Sequence, residues 1–202
     1  MNSKIKFIFL DLGGVLFHWR ELFQFSAKRY SKTPDEIEKV FLRYDALSLT
    51  GEISIKEFWS SVLRDLEVVS DDTFFDIILG SFLPIQQMHT FVKELISILP
   101  VGLLTNIHQG LLEFYLQRHF IPSLNFSPII QSCYIGLKKP DEKIFLYATK
   151  QANLLPHEIL FIDDEINNII AAKKIGWSAI QFREDTPEQS IHEIKDFLSA
   201  DD

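Results

Sequence analysis

The sequence predicts an α/β fold: a doubly wound parallel sheet with a block of helices inserted after its first strand. Three observations carry this reading. From residue 84 onward, short apolar runs alternate with amphipathic helical segments, the pattern of a parallel sheet covered by helices on both faces. Three of the apolar runs end in polar residues, and such strand ends form the ligand-binding edge of an open α/β sheet. Between residues 17 and 83 the strand pattern gives way to helix-start signals.

Residues 5–10 read as a buried strand, being short, apolar, aromatic and β-branched. No strand is expected in the block that follows. "TPDEIEKVFLRY" starts a helix, with Thr33 as cap, Pro34 in the first helical position and acids in the first turn. "SIKEFWSSVLRDL" starts another, with Ser54 as cap, Glu57 three residues on, and Phe58, Val62 and Leu66 on one face. "DDTFFDIILGSF" supplies a third helical piece. Then the period switches. "MHTFVKELISIL" is a helix, "VGLLTN" a strand, "QGLLEFYLQRHF" a helix and "SPIIQSC" a strand. "PDEKIFLYATKQANL" is a helix with Pro140 and acids at its start, and "EILFIDD" is a strand ending in two carboxylates. "EINNIIAAKKIG" is a helix that Gly176 stops, "WSAIQF" a last strand and "TPEQSIHEIKDFLSA" a capped terminal helix. The expected division is a core of residues 1–16 and 84–202 and a helical block of residues 17–83.

Of 202 residues, 47% are hydrophobic and eighteen are Phe, ample material for a packed core. The net charge of −8 argues against a general nucleic-acid binder, although a local anion site survives in an acidic protein. The single Cys133 rules out an intramolecular disulfide framework and fits a reducing compartment. The apolar stretch near the N-terminus is too short for a signal peptide, and no run approaches the ~18 apolar residues of a membrane span. A soluble, cytoplasmic protein is expected, with its oligomeric state open between monomer and weak homodimer.

The polar strand ends are Asp11, then Thr105 and Asn106, then Asp163 and Asp164, while "GLKKPDEKIF" places Lys138 and Lys139 in a loop before a helix. Singly, each is ordinary: a turn or cap aspartate, a cap pair, a solvated basic loop, acids suited to a helix dipole. Together on one sheet edge, the carboxylates would repel and raise one another's pKa. Magnesium resolves that conflict, since it takes one or two carboxylates together with waters and phosphate oxygens. A lysine and a hydroxyl beside it suit a phosphoryl group. Nucleophile, metal, lysine and hydroxyl donor make up the parts of phosphoryl transfer to an aspartate.

The chain resembles the haloacid dehalogenase superfamily of phosphatases. "DLGGVL" is similar to its first motif, Thr105 after an apolar strand to its second, Lys139 before Pro140 to its third, and "FIDDEINNIIAAKKIG" to its fourth. The helical block has the position and size of the family's small C1 cap. More narrowly, "DLGGVL", "GEIS", "GLKKPDEKIF" and "FIDDEINNI" resemble the bacterial branch that includes α-D-glucose-1-phosphate phosphatase. The resemblance implies a magnesium-dependent hydrolase of small phosphorylated metabolites, such as a sugar 1-phosphate. It makes Asp11 the nucleophile and a metal ligand. It makes Gly13 a metal ligand through its carbonyl, and Asp164 the second carboxylate ligand. Thr105, Asn106 and Lys139 would hold the phosphoryl group, Lys138 would be exposed, and Asp163 and Asn168 would form the surrounding shell.

Most relatives carry a second aspartate where this chain has Gly13. That aspartate protonates the leaving group and activates water, help worth ~10²–10⁴-fold. Its absence favours esters of good leaving groups. Gly13 and Gly14 also suit a turn after the strand. His18 and Trp19 enter the helical block and are candidates to face the substrate, His18 also as a replacement acid, with His108 a weaker one. Phe41, Tyr44, Phe58 and Trp59 read as core of the helical block. The alternatives are a catalytically weak or non-enzymatic protein that binds a phosphometabolite or a partner, and a metal-free dehalogenase.

Overall fold

The computed structural model describes residues 5–200. The start of the N-terminal stretch read against a signal peptide lies outside them. Strand β1 (Phe7–Leu10) opens the chain, and β2 (Phe17–His18) follows a tight turn. Four helices come next: α1 (Glu21–Tyr30), α2 (Pro34–Leu49), α3 (Ile55–Asp65) and α4 (Phe74–Ser81). Strand β3 (Leu83–Pro84) leads back to α5 (Gln86–Ile98), β4 (Val101–Thr105) and α6 (Leu111–Gln117). The chain closes through β5 (Ile129–Gln131), α7 (Ser132–Ile135), α8 (Glu142–Ala152), β6 (Ile159–Asp163), α9 (Ile166–Lys174), β7 (Ser178–Gln181) and α10 (Pro187–Ser199).

The main sheet has the order β5-β4-β1-β6-β7, and every pairing in it is parallel. This is the predicted α/β fold. In β1, β4 and β6 every residue is buried, as expected of strands covered on both faces. Side chains alternate between two apolar clusters. Ile8, Leu10, Leu160 and Ile162 face the cluster shared with α1–α4 and α5. Phe7, Phe9, Ile159 and Phe161 face the other, with Phe145 and Trp177. Because β1 lies in the middle and its neighbours β4 and β6 carry the other polar ends, the sheet brings those ends together.

The local chemistry of the helix starts matches the sequence in the helical block. Thr33 and Glu36, Ser54 and Glu57, and Thr73 and Asp76 form three reciprocal capping boxes, each pairing a hydroxyl and a carboxylate with backbone N–H groups. Phe41, Phe58 and Trp59 are buried among one another, and the Tyr44 hydroxyl donates to Asp65.

Four expectations are corrected. The block contains strand after all, since β2 pairs antiparallel with β3. Two residues are too few to show a period, and Pro84 lowers the strand signal further. Helix α1 escaped notice because its cap position is Arg20, whose side chain makes no capping bond. Pro140 precedes α8 rather than starting it. Asp141 is the cap, accepting from the Lys143 N–H at 2.9 Å. Thr186 stands before α10 but its side chain caps nothing. Among the described residues, no helix is long and apolar enough to cross a membrane.

Candidate active site

Asp11 follows directly on β1, and its N–H donates to the Ile162 carbonyl at 3.0 Å. The strand ladder thus runs up to the carboxylate and fixes where it emerges. The chain then folds back sharply, with the Leu16 N–H donating to Leu12 O at 2.7 Å and the Gly14 N–H to Phe17 O at 2.9 Å. Gly14 holds the left-handed conformation, at φ 69°. A Cβ there would lie 2.2 Å from the Asp164 carboxylate, so glycine is required twice over. Gly13 differs. Its φ lies outside the positive region, so the turn alone does not demand glycine. A Cβ at Gly13 would meet Trp19 Cδ1 at 3.0 Å. The indole stands where a side chain at 13 would project. The Arg20 guanidinium lies over the indole at 4.9 Å, and Phe23 meets its edge.

Lys139 is completely buried as a side chain and bridges Asp11 at 2.8 Å and Asp163 at 2.6 Å. Asp163 also accepts from the Glu165 N–H, and both of its oxygens accept from Asn168 Nδ2, at 3.0 and 3.1 Å. Asn106 holds the Lys139 backbone from both sides: its amide donates to Lys139 O at 2.9 Å, and its carbonyl accepts from the Lys139 N–H at 2.8 Å. The Asn106 side chain is therefore committed to the lysine loop rather than free for a ligand. Thr105 is buried at the end of β4. Lys138 is half-buried and lines the adjacent cavity, against the expectation that it is exposed.

Asp164 receives Arg20 at 2.9 Å, and the same guanidinium reaches Glu184 at 2.9 Å and pairs with Glu165. His18 turns to Glu184, with its Nδ1 3.0 Å from the carboxylate. It is not among the residues lining the cavity, whereas Trp19 is. Arg20 gave no signal in the sequence. It stands outside any motif, and only the fold of β2 and α1 carries it to β6.

Burial pushes the Asp11 carboxyl up to about 7, with Asp163 and Asp164 adding to the rise and Lys139 opposing it. Burial, then Asp163, raises Asp164 to about 6 against the pull of Arg20. Burial disfavours the Lys139 ammonium, yet Asp11 and Asp163 outweigh it and hold its pKa above the ordinary lysine value. Oxygens of Asp11, Asp163 and Asp164 all lie within 4.8 Å of one another. A hard oxygen donor set in which Asp11 and Asp164 are held above the ordinary carboxylate range fits a small divalent cation.

A cavity of about 270 Å³ opens beside these groups, lined by Asp11, Gly13, Trp19, Thr105 and Asp164 at one end. Asp45 and His108 also line it. His108 is buried, with Nδ1 2.8 Å from Ser48 Oγ and Nε2 3.5 Å from Asp45, and it stacks on Phe58 at 4.7 Å. Burial lowers it to about 3 and raises Asp45 to about 6. Asp45 and Tyr115, which also lines the cavity, were not singled out in the sequence because both sit within helical patterns that read as surface and core.

The chain resembles known proteins over nearly its whole length. The sesquiterpene phosphatase astK of Aspergillus oryzae is 25% identical over 186 residues, 87% of this chain and 89% of that protein. The drimenol cyclase drtB of Aspergillus calidoustus is 25% identical over 88% of this chain, which spans only 34% of that protein's length. Among solved structures, a predicted HAD-like family hydrolase from Porphyromonas gingivalis shares 25% identity and a TM-score of 0.77, covering 97% of this chain and 98% of that one. A HAD family enzyme of Bacteroides thetaiotaomicron, in complex with magnesium and inorganic phosphate, shares 22% identity and a TM-score of 0.71 over 89% of this chain and 95% of that one. The model of haloacid dehalogenase-like hydrolases matches residues 5–176, and the chain belongs to that family.

Proposed function

We propose that the protein is a magnesium-dependent phosphatase of small phosphate monoesters. The observation that carries this reading is Lys139, buried between Asp11 and Asp163 beside a third carboxylate at the mouth of a cavity. Similarity to a sesquiterpene phosphatase and to an enzyme crystallised with magnesium and phosphate supports it. In this reading the core comprises residues 1–16 and 84–202, and residues 17–83 form a cap over the site.

Asp11, Asp164 and the Gly13 carbonyl would hold the metal, which when bound supplies positive charge to the phosphoryl oxygens. Asp11 attacks phosphorus as the P–O bond to the alcohol breaks, the departing oxygen takes its proton from water, and a second water hydrolyses the aspartyl phosphate to release inorganic phosphate and restore Asp11. Lys139 favours the ionised form of Asp11 against its burial and faces the phosphoryl charge, while Thr105 donates its hydroxyl. Asp163 and Asn168 hold Lys139 in place, and Asn106 fixes its backbone. No side chain at 13 delivers a proton. Resemblance to the glucose-1-phosphate phosphatase branch and the missing acid both favour esters of good leaving groups. A metal-free dehalogenase is disfavoured by three carboxylates, which would repel a haloacid.

p-Nitrophenyl phosphate tests this directly, because its leaving group needs no acid. Turnover is expected with magnesium and lost on chelation. Asp11→Asn is expected to retain the fold and lose at least a hundredfold in kcat. Metal-independent turnover, or an active Asp11→Asn, would discard the reading.

A further inference from the structure

The cavity beside Asp11, about 270 Å³, lies near the lower end of small-molecule sites. Away from the carboxylates its walls are carbon: Phe17, Leu22, Phe41, Phe74, Phe82 and Leu111, all buried. They come from the helical block and from the core alike. Trp19 stands at the junction between these walls and the phosphoryl end, in the space that Gly13 leaves open.

Polar partners inside are few. His108 Nδ1 is engaged by Ser48, and its Nε2 stands 3.5 Å from Asp45; the Asn106 amide is engaged by the Lys139 backbone. Asp45 and Lys138 are half-buried, and Asp45 stands beside His108 in the wall. One group remains. Tyr115 lines the cavity, is 5% exposed, and its hydroxyl makes no hydrogen bond to any described residue. A sugar would bring several hydroxyls into these walls and leave most of them unpaired, at a desolvation cost for each. An apolar body meets no such cost.

We infer that the alcohol half of the substrate is apolar: the site takes a phosphate monoester of an aromatic or otherwise apolar alcohol that leaves readily, seated against Trp19 and the Phe and Leu walls, with the Tyr115 hydroxyl in the same cavity. The chemistry rests on the phosphatase reading, whereas the seat for the alcohol rests on the cavity alone. Gly13 and Trp19 then act as a pair. The position of a proton donor becomes an aromatic surface against which the leaving group lies.

Two measurements test this and separate it from the phosphatase reading. Ethyl, butyl and hexyl phosphate have closely similar leaving groups but growing apolar area. With magnesium, kcat/KM is expected to rise about three- to fourfold per methylene, and propyl phosphate to exceed glycerol 3-phosphate at least tenfold. A flat series, or preference for the glycerol ester, overturns the inference. Binding of methyl- and hexylphosphonate, read by calorimetry, involves no hydrolysis. Hexylphosphonate is expected to bind at least thirtyfold more tightly, and this supports the apolar seat even if no ester is turned over. Equal affinities, or no binding of either, overturn it. Trp19→Ala is expected to narrow the hexyl-to-methyl ratio at least threefold, and an unchanged ratio removes Trp19 from the seat.

Discussion

At the scale of single residues, Gly13 and His108 make the sharpest statements. The indole of Trp19 presses on the position a Cβ would take at 13. Gly13→Asp is therefore expected not to restore acid catalysis on its own. It should displace Trp19 and cost about 1–3 kcal/mol, as overpacked sites do, measured by urea unfolding. The double variant Gly13→Asp, Trp19→Ala gives the new carboxylate room. It is expected to gain most on phosphate esters of poor leaving groups, seen as a flatter dependence of kcat/KM on leaving-group pKa. An equal gain in the single variant would show that the ring is no obstacle. His108 carries a pH signature. Its folded pKa is depressed by burial to about 3, below the ordinary 6.5. Between those values the unfolded chain holds the proton and the folded chain does not, so stability is present above 6.5 and is lost as pH falls. Asp45, raised to about 6, works in the opposite sense below that pH, which makes a difference measurement necessary. The stability of wild type minus that of His108→Gln is expected to shrink between pH 7 and pH 4, followed by urea unfolding at each pH.

At the scale of elements, the caps of α2 and α3 were legible because they are written within four residues, whereas the Thr73–Asp76 box of α4 went unread although its helix was expected. The Ser54 hydroxyl and backbone N–H both engage Glu57. Ser54→Ala is expected to cost about 1 kcal/mol, and a thermal melt unchanged within error would show that tertiary packing alone sets the start of α3. Elements without local signals were not legible. Helix α1 has no side-chain cap, and β2 and β3 have two residues each. Their existence depends on partners far along the chain. The same distinction runs through the site. Asp11, Thr105, Asp163 and Asp164 could be found because strand ends announce themselves, and Lys139 because a motif does. Arg20, Asp45 and Tyr115 could not, since their meaning arises only when helices from separate parts of the chain meet the sheet edge. Lys138 was misread for the same reason, and the choice between the Asn106 backbone and side chain stayed open: which way a loop side chain turns is decided by what packs over it.

At the scale of the whole molecule, charge and packing join the helical block to the sheet. One apolar cluster runs from β1 and β6 through Phe41, Phe58 and Phe74, so the block and that face of the sheet are expected to unfold together. Metal binding acts on the same unit. Asp11 and Asp164 have raised pKa values, about 7 and about 6, and each must give up its proton to ligate a cation. Ionising them without a metal costs stability as pH rises through this range, and a cation restores it. The increase in Tm on adding magnesium is therefore expected to grow from pH 5 to pH 8, read by differential scanning calorimetry. An increase that is the same at both ends would remove these carboxylates as ligands. The narrow ribbon of β2 and β3 has a consequence of a different kind. Everything between Phe17–His18 and Leu83–Pro84 leaves and returns through two neighbouring strands, about 5 Å apart. Along the chain, the block is joined to the sheet only at this neck. Doubling the length of chain hung from it adds only about 0.6 kcal/mol of closure entropy. As a graft point, the neck would accept a replacement of quite different length, provided that it brought an apolar face to lay against Leu10, Leu16 and Ile162.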